Sequence, residues 1–168
     1  ISSLPMKGIQ KNIIVDKMPI NFRYIGFILS AIPEAKIIHM SRDPMATCWS
    51  VYKYEFRGNA YSFDQKDIAS YYILYRDLMD FWSKLFPEKI YDLCYEDLTV
   101  NQEKETRNLL KYCDLKWDEN CLDFHNNKSA VKTTSSMQVR KKMYQGSSET
   151  WKKYEAYLKP LIKGLNNY

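Results

Sequence analysis

The chain has 168 residues, of which 45% are hydrophobic, and a formal net charge of +5 at pH 7. This length predicts one domain with a hydrophobic core and leaves too little chain for two. No apolar run approaches the roughly 20 residues of a membrane span, and no basic-then-apolar leader opens the chain. We therefore expect a soluble, cytoplasmic protein.

The four cysteines form no C-x-x-C pair and only two histidines are present, so neither a zinc site nor a disulfide framework is predicted. Solvated lysines explain most of the positive charge, which favours anionic ligands in general. The one dense basic cluster is Arg140-Lys141-Lys142. It is too short to follow a nucleic-acid backbone and long enough for one phosphate, so we expect no nucleic acid. Because the cysteines and histidines form no ligand set, we also expect no metal.

Apolar periodicity and turn residues predict strands alternating with helices. Such alternation is typical of an α/β fold in which helices flank a parallel sheet. In chain order, the predicted elements are a strand at 12–15, a helix at 21–32, a strand at 36–40, a helix from 44 to about 56, a helix at 64–86, a strand at 90–95, a helix at 101–113 and a last helix from 147.

The most informative stretch joins the second predicted strand to the helix after it. Asp43 is a natural N-cap and Pro44 suits the first helical position. Backbone N–H groups and the helix dipole make such a junction a potential anion site, and Arg42 adds a permanently charged fork. Ser50 lies eight residues after Arg42 and can reach the same anion along the helix flank.

An ordinary interpretation of these residues is a solvated loop arginine and an unremarkable helical serine. Two other predicted strands also end in polar residues, at Asp16-Lys17 and Tyr95-Glu96. Parallel strands place their carboxyl ends at one edge of a sheet, where α/β proteins bind ligands. The three strand ends together favour a nucleotide site.

Four motifs in order carry a family resemblance. They are DKMP-x-NF at 16–22, HMSRDP-(x)5-S at 39–50, CYEDL at 94–98 and SMQVRKKMY…W at 136–151. Together they resemble sulfotransferases that use 3′-phosphoadenosine 5′-phosphosulfate (PAPS), most of all the bacterial and tetratricopeptide-linked branch, which is similar to the tyrosylprotein enzymes. The resemblance covers about residue 12 to the C-terminus as one domain, and it implies a P-loop nucleotide-type fold and sulfuryl transfer to a hydroxyl acceptor.

The resemblance implies roles for particular residues. Arg42 and Ser50 would hold the 3′-phosphate of the nucleotide, and Tyr95 would contact the adenine; otherwise Tyr95 is a buried strand tyrosine. Arg140 and the adjacent Lys141 resemble a basic segment that closes over the 3′-phosphate; without the resemblance, a solvated basic run would be the favoured interpretation. A serine that reaches the phosphosulfate side aligns with either Ser135 or Ser136.

Lys17 is the candidate for chemistry, because a cation at a strand end can stabilise the bridging oxygen as the nucleotide leaves. Asp16 is expected to position Lys17 or to polarise the acceptor. Some related enzymes use a histidine base at this point, which this chain lacks. His39 lies within a predicted strand and is expected to be packed or hydrogen-bonded there.

The family's loop for the 5′-phosphosulfate, a P-loop analogue, is expected more than about a hundred residues before Asp16, and Ser2–Gly8 does not supply it. The chain is thus expected to be the C-terminal part of a longer enzyme and to show little turnover alone. The acceptor remains open among a sugar, a lipid, a small alcohol and a protein tyrosine. Alternatives are a non-catalytic nucleotide-binding or interaction module and, less favoured, a P-loop kinase fragment.

Overall fold

The computed structural model describes residues 13–54, 59–126 and 140–166, which form an α/β arrangement rich in helix. The strands are β1 (Ile37–Ser41) and β2 (Ile90–Cys94). The α-helices are α1 (Ile25–Ala31), α2 (Pro44–Lys53), α3 (Gln65–Leu85), α4 (Tyr95–Val100), α5 (Gln102–Tyr112) and α6 (Lys159–Leu165). The 3-10 helices are Pro19–Tyr24, Ala60–Phe63, Glu119–Cys121, Phe124–Asn126 and Ser147–Tyr157, the last of which we call the C-terminal 3-10 helix.

The two strands pair in parallel, with Ile37 opposite Ile90 and Ser41 opposite Cys94. Parallel neighbours need a long crossover, and the segment that carries α2 and α3 provides it. Both strands therefore end at the same edge of the sheet. The residues that follow Ser41 and Cys94 are brought together by this pairing, as the sequence predicted.

One face of the sheet packs against α1 and α3. Ile37 and Ile90 contact a buried cluster made of Ile25 and Leu29 from α1 and Met79 from α3. The cluster explains why the apolar stripe of the long helix α3 turns inward, since burial of such side chains is the main source of helix stability. The same cluster holds β1 against α1 and α3.

A second buried cluster joins α2, α3 and the C-terminal elements. Its members, each at most 2% exposed, are Cys48, Ile68, Ala69, Leu158 and Leu161. Burial, aided by the charge of Asp43, raises the pKa of the Cys48 thiol to about 12, so it is a neutral packing group. The ring of Trp49 also lies 4.7 Å from that of Tyr154, which holds the C-terminal 3-10 helix beside α2.

Several predicted helices are confirmed, including α2, α3 and α5. The long helix begins where expected because Asp64 accepts hydrogen bonds from the backbone N–H groups of Lys66 and Asp67. The last predicted helix differs, since a 3-10 helix precedes a separate α6 that starts next to Pro160. A proline lacks an N–H donor and is tolerated in the first turn of a helix, so the helix restarts there.

The predicted strand at 12–15 is wrong for the part that the structure describes. Residues 13–18 are irregular, and Ile13, Ile14 and Val15 are 56%, 60% and 85% exposed. An apolar run becomes a strand only where a neighbouring strand accepts its hydrogen bonds, and the described residues offer none here: their sheet has two strands rather than three. Asn12 lies outside the described residues.

Among the described residues, no helix combines the length and the apolar character that crossing a membrane requires.

Candidate functional site

The candidate site lies where β1 passes into α2. Ser41 ends the strand, Arg42 and Asp43 form the link, and Pro44 begins the helix. Asp43 is the N-cap, as the sequence predicted, and its Oδ1 accepts a 2.6 Å hydrogen bond from the Ala46 N–H. This cap holds Arg42 at the edge of the sheet.

The backbone donors at this helix start are largely used within the chain. The Asp43 N–H donates to Glu96 Oε1 at 3.2 Å, and the Thr47 N–H donates to the Asp43 carbonyl at 2.9 Å. Pro44 has no N–H to offer. The Asp43, Ala46 and Thr47 N–H groups are therefore occupied within the chain, and Arg42 is the positively charged side chain at this junction.

The guanidinium of Arg42 is held by neutral groups. Its Nε donates to Ser148 Oγ at 3.0 Å and its Nη2 donates to Ser147 Oγ at 3.3 Å. Its Cζ lies 4.9 Å from the centre of the Tyr95 ring, a cation–π contact. Because neither hydroxyl cancels the charge, the side chain is fixed in place while its attraction for an anion is kept.

Tyr95 is the first residue of α4 and not, as predicted, the last residue of a strand. Its hydroxyl accepts a 3.1 Å hydrogen bond from Ser147 Oγ. The Arg42 guanidinium covers one ring face, so a base can approach only the other face or the edge. Three separate segments of the chain thus converge on one charged side chain.

Glu96 links the same segments from the other side. Its Oε1 accepts from the Ser148 hydroxyl and the Asp43 N–H, and its Oε2 accepts from Cys94 Sγ at 3.4 Å. Burial alone would raise the pKa of Glu96, but these hydrogen bonds to the carboxylate hold it below its ordinary value. Glu96 therefore anchors the C-terminal 3-10 helix as a carboxylate.

The replacement Glu96→Gln is expected to lower the free energy of unfolding by about 1 kcal/mol at neutral pH, because hydrogen bonds to a charged acceptor are the stronger ones. A folded-state pKa below the unfolded value near 4.5 means that this stabilisation is complete above that pH and is lost as the pH falls through the folded-state pKa. Urea denaturation at neutral and acidic pH measures the difference.

The Glu96→Gln variant should lose less stability in acid than the wild type. The same change at exposed Glu34 should leave the acid dependence of stability unaltered. Equal acid dependence of the wild type and Glu96→Gln would contradict the role given to this carboxylate.

A cleft of about 410 Å³ opens beside these residues, at the carboxyl ends of both strands. Its volume lies within the usual range for small-ligand sites, and its place is where α/β sheets bind ligands. It is lined by Ser41, Arg42, Asp43, Pro44, Tyr72, Arg76, Cys94 and Glu96.

The other sequence-predicted residues lie elsewhere. Ser50 is half-buried on α2 and does not line the cleft. Asp16 and Lys17 are exposed in the irregular segment before the first 3-10 helix, where Asp16 Oδ2 accepts a 2.7 Å hydrogen bond from Asn21 Nδ2. Neither contributes to the lining of the cleft.

Arg140 and Lys141 are exposed at the start of the last described segment. Ser135 and Ser136, between which the sequence left the choice open, lie outside the described residues. His39 is hydrogen-bonded on both ring nitrogens, to Asp92 and to the Tyr75 hydroxyl, which confirms the prediction of a packed strand residue.

Sequence reasoning missed Ser147, Ser148 and Arg76 as contributors to the site. It placed Glu96, inside the CYEDL motif, at a polar strand end but gave it no role of its own. Nothing local marked the two serines, which lie more than a hundred residues from Arg42. Their contact depends on the packing of the C-terminal 3-10 helix against α2.

The chain is 41% identical over 156 residues to an uncharacterized protein of Aquifex aeolicus, covering 90% of this chain and 20% of that protein. It is 30% identical over 115 residues to the omega-hydroxy-beta-dihydromenaquinone-9 sulfotransferases Stf3 of Mycobacterium bovis and Mycobacterium tuberculosis, covering 63% of this chain and 29% of each relative. The chain thus spans less than a third of the length of these curated relatives.

Residues 4–119, well over half of the chain, match the model of the sulfotransferase family. The matched range includes the junction of β1 with α2, the long helix α3 and the Tyr95-Glu96 pair. The chain belongs to the sulfotransferase family.

Proposed function

We propose that this chain supplies the 3′-phosphate and adenine side of a site that transfers a sulfuryl group from PAPS to a hydroxyl acceptor. The observation that carries the proposal is the Arg42 guanidinium, which is held on the Tyr95 ring by neutral hydroxyls at the carboxyl edge of the sheet. A charged fork beside an aromatic ring suits a phosphate attached to a nucleoside. The family match supports sulfuryl transfer as the reaction class.

In this proposal Arg42 pairs with the 3′-phosphate, together with Ser50 from α2. The adenine lies against the face or edge of Tyr95 that Arg42 leaves open. Arg140, Lys141 and one of Ser135 and Ser136 complete the nucleotide site from the later part of the chain. These assignments follow the family resemblance. The contacts between Arg42, Tyr95 and the two serines support the assignments of Arg42 and Tyr95.

The transfer forms a bond between sulfur and the acceptor oxygen and breaks the bond between sulfur and the nucleotide's 5′-phosphate oxygen. The acceptor hydroxyl loses its proton to a base, and negative charge develops on the departing phosphate. We assign Lys17 to stabilise that charge, and Asp16 to position Lys17 or to polarise the acceptor. No metal ion is required by this scheme, because lysine and arginine supply the positive charge.

The proposed acceptor carries a hydroxyl group. The mycobacterial relatives are named for an omega-hydroxylated dihydromenaquinone, which carries such a group. A sugar, a lipid, a small alcohol and a protein tyrosine all fit this class. The non-catalytic alternative, a nucleotide-binding or interaction module, shares the same nucleotide contacts and differs only in the absence of transfer.

The proposal is tested by calorimetry with the full natural chain and adenosine 3′,5′-bisphosphate (PAP), the product of PAPS. Adenosine 5′-phosphate serves as the matched ligand, because it lacks only the 3′-phosphate. We expect PAP to bind at least about tenfold more tightly, since a charge-assisted contact contributes about 1.5–3 kcal/mol.

Equal affinities for the two nucleotides would contradict the 3′-phosphate site. Tighter, Mg²⁺-dependent binding of ATP would favour the kinase alternative. Binding of PAP without transfer from PAPS to any class of hydroxyl acceptor would favour the non-catalytic module.

A further inference from the structure

A second guanidinium lines the cleft beside Arg42. Arg76 lies on α3, one turn after Tyr72, and both residues belong to the lining that also contains Arg42. Its side chain is 35% exposed, so it is partly held by the protein and partly open to solvent. Neither the motifs nor the predicted strand ends indicated this residue.

The charge of Arg76 is only weakly compensated. In the described part of the chain, its one recorded ion pair joins Nη2 to Asp80 Oδ1 at 3.9 Å, between positions four residues apart on the helix. Asp80 is 53% exposed, and such loose surface pairs contribute little. Most of the attraction of Arg76 for an anion is therefore available.

The cleft lining also contains two carboxylates, Asp43 and Glu96, and both are held by groups other than the two arginines. Asp43 is engaged as the cap of α2 through the Ala46 N–H. Glu96 accepts from Ser148, from the Asp43 N–H and from Cys94. In the described part of the chain neither of these carboxylates forms an ion pair with Arg42 or Arg76, so both guanidiniums can still donate to an anionic ligand.

The neighbouring phenols add no negative charge to the cleft. Burial, reinforced by the nearby Tyr75 hydroxyl, raises the pKa of Tyr72 to about 12, although the charge of Arg76 opposes the shift. Burial likewise raises the pKa of Tyr75. Both hydroxyls are protonated at neutral pH, so they offer dipoles to Arg76 and no negative charge.

We propose that Arg76 is a second binding residue for the phosphate monoester held by Arg42. The inference rests on the proposed function, because the ligand is the 3′-phosphate of the nucleotide. Two guanidiniums from different elements, the strand–helix link and α3, would then clamp one phosphate across the mouth of the cleft. Arg76 binds and orients the nucleotide and takes no part in bond making.

The test measures binding of PAP, adenosine 5′-phosphate and inorganic phosphate to the full natural chain by calorimetry. We expect Arg76→Gln to weaken PAP binding about tenfold and to leave the affinity for adenosine 5′-phosphate unchanged. Arg76→Lys, which keeps the charge, should recover part of the loss. Arg107→Gln, on α5 outside the cleft, is the matched control and should behave as the wild type.

The double variant Arg42→Gln/Arg76→Gln should lose less affinity than the product of the two single losses, because both side chains hold the same group. An unchanged affinity of Arg76→Gln for PAP would overturn the inference, as would an equal loss for both nucleotides. An effect on inorganic phosphate alone would also overturn it, since the site would then not serve the nucleotide. If the wild type does not prefer PAP, the proposed function fails; if it does and only Arg42→Gln weakens binding, the inference about Arg76 alone fails.

Discussion

Replacing Arg42 with glutamine is expected to weaken the binding of PAP by roughly 30- to 1000-fold, which corresponds to about 2–4 kcal/mol. The guanidinium is half-buried and already fixed by Ser147, Ser148 and the Tyr95 ring, so little entropy is lost when the phosphate binds. Glutamine removes the charge and keeps polar contact with the serine hydroxyls. Isothermal titration calorimetry of both proteins measures the effect.

Arg42→Lys separates charge from geometry. Lysine keeps the positive charge but cannot donate in two directions at once to the serines while it also faces the phosphate. We expect an intermediate affinity for PAP. An affinity of Arg42→Gln equal to that of the wild type, with the fold intact by circular dichroism, would contradict the assignment of this residue to the 3′-phosphate.

Replacing Leu161 with alanine is expected to lower the free energy of unfolding by about 3 kcal/mol. Leu161 is 0% exposed and packs in the cluster formed with Cys48, Ile68 and Leu158. The change removes apolar contacts and leaves a cavity among elements that no other side chain can fill without a shift. Urea denaturation followed by tryptophan fluorescence provides the measurement.

The matched control is Leu74→Ala, since Leu74 is 65% exposed on α3 and the chemical change is the same. It should alter stability by only a few tenths of a kcal/mol, about the usual scale for surface positions. Equal losses for the two variants would show that α6 does not dock as described. Because the C-terminal 3-10 helix precedes α6, a loosened α6 should also weaken the hold of Ser147 and Ser148 on Arg42.

The contacts of Arg42 fix a charged side chain through neutral groups. An arginine paired with a carboxylate would have to exchange one anion for another when a ligand binds. Here the carboxylate of Glu96 accepts hydrogen bonds from Ser148 and from the Asp43 N–H, and Ser148 in turn accepts from Arg42. The carboxylate and the guanidinium are therefore linked through a hydroxyl and are not in direct contact. The negative charge of Glu96, which orders the site, is thus separated from the positive charge that we propose binds the phosphate.

Much of the fold could be predicted because the relevant signals are local. The cap at Asp43, the proline at the start of α2 and the cap at Asp64 act within one turn of the residues they control. The amphipathic pattern of α3 likewise depends on residues three and four apart. These features specify where elements begin and end without reference to the rest of the chain.

Predictions failed where a partner elsewhere in the chain decides the outcome. The apolar run at 13–15 has the composition of a strand but pairs with nothing among the described residues. Tyr95 was assigned to the predicted strand at 90–95, and β2 in fact ends one residue earlier, where α4 begins. Strand limits follow from the partner strand, which a local pattern does not contain.

By itself, the sequence determined that Arg42 stands between a strand and a capped helix and that a sulfotransferase-type α/β fold surrounds it. Only the tertiary structure decided which side chains share its cleft. Ser147 and Ser148 reach Arg42 from 105 and 106 residues away, and Arg76 reaches the cleft from the middle of a helix that otherwise reads as core. Such contacts arise from the docking of whole elements, and their partners are specified by packing and by the loop closures that folding makes, not by spacing along the chain.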